Sequence, residues 1–102
     1  MKSQLLNGIL AVVSTVSEIP ADEILSHSKR NDIVDARCLF VHFALRKYGF
    51  QTATLVAFLN RKRICSVNDC VRNHDLFITQ SVSYRLMCNE IDRKLSTIYP
   101  TS

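Results

Sequence analysis

The sequence predicts an all-α domain, and three observations carry the prediction. Apolar residues recur at helical rather than alternating spacing along most of the chain. Glycine and proline occur only twice each, too few for a fold of many short strands and tight turns. The hairpin signal Asn-Gly appears at Asn7-Gly8, inside a helix-period pattern. At 102 residues and 47% hydrophobic, one domain spanning 1–102 can bury a core without disulfides or a structural metal.

Ser3 is a candidate cap for a first helix. Its apolar stripe is Leu5, Leu6, Ile9, Leu10, Val13 and Val16, and it ends near Ser17, ahead of Ile19-Pro20. Gly8 costs this helix about 1 kcal/mol relative to alanine, which points to close packing there. Pro20 suits the first turn of a short second helix, Ala21 to about Ser26, with Asp22 and Glu23 near its positive end.

The stretch Ser26 to Gly49 organises the chain. It opens with a basic loop containing Lys29 and Arg30, after which Asn31 or Asp32 can cap a helix running to about Tyr48. Gly49 stops it through the left-handed conformation. Ile33, Ala36, Phe40, Ala44 and Tyr48 form one face, and Val34, Leu39, Val41, Phe43 and Leu45 fill most of the rest. A helix apolar nearly all round is buried on several sides, so the other elements are expected to lean on this one.

Beyond Gly49, Thr52 is a candidate cap for a helix with Leu55, Phe58 and Leu59 on its apolar face and Asn60 as terminator. Arg61, Lys62 and Arg63 then occupy a turn, and Ser66 is placed to cap the next helix. That helix turns Val67, Cys70, Val71 and His74 inward and Ser66, Asn68, Asp69, Arg72 and Asn73 outward. Two short helices joined by such a turn form a helix-turn-helix pattern. A last helix, about Ser81 to Thr97, has Tyr84, Met87, Cys88, Ile91, Leu95 and Ile98 as its buried stripe. Arg85, Asn89, Glu90, Asp92, Arg93 and Lys94 make its wet one.

Charge narrows the partners. Thirteen basic against nine acidic residues leave a net charge of +4, compatible with an anionic partner. The basic residues cluster as Lys29, Arg30 and Arg37, then Arg61, Lys62, Arg63 and Arg72. Arg37 either meets phosphate or pairs with Asp32 or Asp22. No apolar run reaches the roughly 18 residues of a membrane span, and no signal peptide is recognisable. Reduced cysteines in a cytoplasm are therefore expected for Cys38, Cys65, Cys70 and Cys88. Cys65, Cys70 and His74 have a zinc-like spacing, but no fourth ligand lies near them in sequence, so no metal is expected. His27 and His42 read as a loop and a helix-face residue, and no catalytic constellation or cofactor motif is visible.

Ser26-x-Ser28-Lys29-Arg30-x-Asp32-Ile33-Val34-x-Ala36-Arg37 resembles the basic loop and long-helix start of the C-terminal DNA-binding domain of the bacterial replication initiator DnaA. The resemblance covers roughly Ile19 to Leu95. Gly49, Leu55, Leu59 and Val67 are similar to the glycine and apolar positions of that family's helix-turn-helix, which is Trp-repressor-like. The family string G-R-D-H-[ST]-T-V is met by Arg61, Lys62, Arg63, Ile64, Cys65, Ser66 and Val67. Lys62 keeps a positive charge and Ser66 a hydroxyl, while Arg63 and Ile64 replace the base-reading aspartate and histidine. Val56 stands where the preceding helix has glycine, and no nucleotide-binding loop is present.

The resemblance implies duplex DNA binding without nucleotide, in replication initiation or transcription control, with altered sequence preference. The implied contact set is Lys29, Arg30, Arg37, Arg61, Lys62, Arg63, Cys65, Ser66, Asn68 and Arg72. The turn and basic loop would grip phosphate while the second helix of the motif enters the major groove. Arg63 suits guanine and Asn68 adenine, each through two hydrogen bonds. One small module binds weakly, so tight binding calls for a homodimer, clustered sites or a protein partner. The alternative is a protein-interaction module that kept the fold and lost the DNA role, with an exposed apolar surface around Ile64, Phe50 or Phe77.

Overall fold

The computed structural model describes residues 2–26, 28–59 and 64–100, and of residues 2, 3 and 64–66 the backbone alone. It is built from α1 (Lys2–Ser17), α2 (Ala21–Ile24), α3 (Asn31–His42), α4 (Thr52–Phe58), α5 (Ile64–Gln80) and α6 (Val82–Ile98). A π-helical turn, Phe43–Lys47, continues α3. Among the described residues there is no strand, and no helix is long and apolar enough to cross a membrane.

α3 buries Ile33, Ala36, Cys38, Leu39, Phe40 and Val41, as an all-round apolar helix must. It packs on α1, α2 and α5, and Phe40 stacks on Phe58 of α4 with ring centroids 5.6 Å apart. The post is nevertheless shared. α6 lies chiefly against α1 and α5 rather than α3, and α4 packs on α5. α1 supplies Leu6, Ile9, Leu10 and Val13 as its periodicity requires, with Val12 buried as well. Gly8 has the predicted close neighbour. A Cβ there would run into the ring of Tyr99, which crosses α1 at that point.

Helix ends depart from the sequence reading by a residue or two. Arg30, in extended backbone, precedes α3, so Asn31 and Asp32 lie inside its first turn. Asp32 Oδ1 accepts from the Ile33 amide at 2.9 Å instead of acting as a cap. Gln51 takes the position expected of Thr52, which is the first helical residue of α4. α5 starts at Ile64, ahead of Ser66, and its 17 residues make it a long helix rather than a short one. Ser81, expected as the first residue of the last helix, instead caps α6, its hydroxyl accepting from the Tyr84 amide at 3.2 Å. Ile98 is 54% exposed where a buried residue was expected. Tyr99 packs on the core one residue later.

The last turn of the central helix is the wider π form, and its end is tied to α6. The Tyr48 hydroxyl donates to the carbonyls of Leu95 at 3.3 Å and Tyr99 at 2.8 Å, and the Tyr48 amide reaches the Phe43 carbonyl at 3.2 Å. Gly49 follows with φ +71°, the left-handed conformation that ends a helix at least cost in glycine. Arg46 pairs with Asp75 of α5, and Lys47 with Asp92 of α6, each at 2.9 Å, so both cations of the π-turn serve packing.

Candidate nucleic-acid interface

The basic loop between α2 and α3 is built around Arg37. This side chain is 8% exposed. Its Nε donates to the Ile24 carbonyl at 2.9 Å and its Nη2 to the Ser26 carbonyl at 2.6 Å. Nη1 and Nη2 both reach the Ser28 carbonyl at 3.2 Å. A planar guanidinium presents its donors in a fixed fork, so it can hold several carbonyls of one loop together. Arg37 thus departs from the expected phosphate contact and from the expected ion pairs. It points inward and shapes the loop.

With the carbonyls turned toward Arg37, the side chains of Lys29 and Arg30 are exposed. Hydroxyls stiffen the turn: Ser26 Oγ accepts from the Ser28 amide and Ser28 Oγ from the Arg30 amide, each at 3.3 Å. Arg30 makes a two-pronged pair with Asp32, at 2.9 and 3.1 Å, and approaches Glu23 at 3.9 Å. The hydrogen bond from Arg30 holds the Asp32 carboxyl below its ordinary range, and the same bond raises Arg30. Such exposed pairs contribute little to stability. Lys29 forms no ion pair among the described residues.

α5 presents the second part of the site. Val67, Cys70 and His74 are buried and Val71 half-buried, so the inward face is the one the spacing predicts. Asn68, Asp69 and Arg72 are exposed on the opposite side, and Arg72 pairs with Asp69 one turn before it. Arg61, Lys62 and Arg63 lie outside the described residues, as do the side chains of Cys65 and Ser66. A groove of about 300 Å³ lies between the start of α3 and the α5–α6 corner, lined by Asn31, Val34, Asp35, Phe77 and Ser81. Burial, followed by the nearby Asp32, pushes the Asp35 carboxyl up.

The structure also gathers residues that no sequence spacing connects. His42 of α3 and His74 of α5 stack with ring centroids 3.7 Å apart and planes 12° from parallel. His74 Nδ1 lies 2.6 Å from the Tyr84 hydroxyl of α6. Burial lowers the pKa of both histidines, that of His42 to about 4, with His74 and Arg46 adding to the effect on His42. The one available signal was a polar residue on each of two apolar helix faces.

These features define an all-α protein with an arginine-organised basic loop. Comparison with protein-family models, curated proteins and solved structures finds no match to this chain.

Proposed function

We propose that this protein binds duplex DNA as a module similar to the C-terminal domain of the replication initiator DnaA. The observation that carries the reading is the Arg37 fork, which turns the loop carbonyls inward and leaves Lys29 and Arg30 outward beside the start of α3. That loop falls on the string that resembles the family. The succession of α4, a short link and a long α5 agrees with a helix-turn-helix whose second helix exposes Asn68 and Arg72. In this reading Lys29, Arg30, Arg61, Lys62 and Arg72 neutralise phosphate. Arg63 and Asn68 meet base edges beside Cys65 and Ser66, and Arg37 keeps the loop in shape. Replication initiation and transcription control, in a cytoplasm, are the settings such a module suits.

The test is fluorescence anisotropy with a labelled random duplex. If about five phosphates are neutralised, affinity falls several hundredfold between about 50 and 200 mM salt. Arg30→Glu and the pair Lys62→Glu, Arg63→Glu lose binding while the helical circular dichroism stays unchanged. A folded wild-type protein that does not bind duplex at low salt overturns the proposal.

That outcome would favour a protein-interaction module. Its expected surface is reduced, because Phe50 is buried and Phe77 half-buried; the Ile64 side chain lies outside the described residues. The exposed Leu76, Val82 and Leu86, flanking the α5–α6 corner, are the apolar residues such a module would use instead.

A further inference from the structure

We propose that His42, His74 and Cys88 form a binding site for a borderline-soft divalent cation of the zinc class, joining α3, α5 and α6. One ligand atom from each of the three residues can be chosen so that all lie within 4.8 Å of one another. Donors at zinc bond lengths of about 2.0–2.3 Å in a tetrahedron sit roughly 3.3–3.8 Å apart, so closure takes a contraction of about 1 Å. Two imidazoles and one thiolate are a donor set that suits zinc or cobalt and disfavours magnesium or calcium. Three protein ligands leave a fourth position for water or a further donor.

The surroundings fit the role. The Tyr84 hydroxyl engages His74 Nδ1 at 2.6 Å, which orients the ring and leaves Nε2 for the metal. His42 Nδ1 is buried and has no hydrogen-bond partner among the described residues, so it loses no bond on turning toward a metal. Parallel stacked rings aim their lone pairs side by side rather than at one point, so binding must unstack them. His42 is the ring that turns, because Tyr84 tethers His74.

Both imidazoles are held neutral by burial, the form that ligates. Burial, with Asp92 second, keeps the Cys88 thiol protonated. The incoming cation takes the sulfur lone pair and one proton leaves to solvent, so affinity climbs with pH. Arg46, Asp75 and Asp92 are the charged groups around His42. The Cys65–Cys70–His74 spacing is not the site proposed. Cys70 instead acts on Cys38, whose thiol it helps keep protonated, and only His74 is common to both sets.

The test is a Co²⁺ titration of the reduced full chain, followed by Zn²⁺ competition. The expected result is one equivalent of cobalt, a thiolate-to-cobalt charge-transfer band and d–d bands of tetrahedral intensity. Zinc at a hundredfold excess over its Kd raises Tm by on the order of 10 °C. Cys88→Ser abolishes the charge-transfer band, and His42→Gln weakens binding while leaving the apo fold intact. Tyr84→Phe keeps the band but loses roughly 10–100-fold in affinity. Cys65→Ser and Cys70→Ser retain it. A folded wild-type protein without a cobalt spectrum overturns the proposal. So does a charge-transfer band that survives Cys88→Ser, or a cobalt affinity that His42→Gln leaves unchanged.

Discussion

Arg37 Nη2 donates to the Ser26 carbonyl at 2.6 Å, binding the middle of the central helix to the loop that precedes it. The same guanidinium reaches Ile24 and Ser28, so one side chain holds three carbonyls across five residues of backbone. Removing it strands those acceptors at a nearly closed surface. Arg37→Ala should destabilise the fold by about 3 kcal/mol, the scale of leaving buried polar groups unsatisfied. Arg37→Lys should recover only part, because an ammonium cannot reproduce the fork. Urea unfolding measures both, and amide exchange at Lys29 and Arg30 should accelerate before that of the α3 core.

The buried histidine pair makes stability depend on pH in the metal-free protein. His42 has a folded pKa of about 4 against an ordinary value of 6.5, chiefly through burial. Between these values the unfolded chain binds more protons than the folded one, so stability rises with pH. The contribution is complete above about pH 6.5 and is lost as pH falls toward about 4, by roughly 1–2 kcal/mol once solvent screening of this half-buried ring is allowed for. Urea midpoints recorded with chelator present should show this slope, and His42→Gln should flatten it. The carboxyls of Asp32 and Asp75, both held low by arginine partners, act in a separate window, below their unfolded values near 4.

Glu18 ends α1 with φ +61°, in the left-handed region that glycine occupies without a Cβ penalty. It is exposed. Glu18→Gly should therefore stabilise the protein by about 0.5–1 kcal/mol, the relief of strain being partly offset by the greater freedom of glycine in the unfolded chain. A higher thermal midpoint is the readout, and Glu18→Val should move it the other way.

Tyr84 is fully buried, and its hydroxyl meets His74 Nδ1. Tyr84→Phe keeps the ring and removes the oxygen, leaving a buried imidazole nitrogen without that partner. A loss of about 1–3 kcal/mol is expected, measurable by urea denaturation, with the His74 imidazole resonances shifting in the NMR spectrum.

Much of the helical layout was legible in the sequence because helices are written locally. The repeat of Leu6, Ile9, Leu10 and Val13 states both the period and the buried face of α1. Pro20 and Gly49 mark boundaries through backbone sterics that need no partner. The inward face of α5 could be read in the same way. Helix starts at Asn31, Thr52 and Ile64 were placed less well, because several small polar residues compete for each cap and packing chooses among them.

The helical class, the apolar faces and the place of the basic loop follow from short-range periodicity and backbone preference. The fate of individual polar side chains follows from how the helices pack. Arg37 belongs by composition with Lys29 and Arg30, yet it faces inward because the α2–α3 loop folds its carbonyls over the helix. His42, His74 and Cys88 lie far apart in sequence and meet because α3 and α6 both pack on α5. Burial and hydrogen-bond partners are set by which helices cross, and that information is long-range.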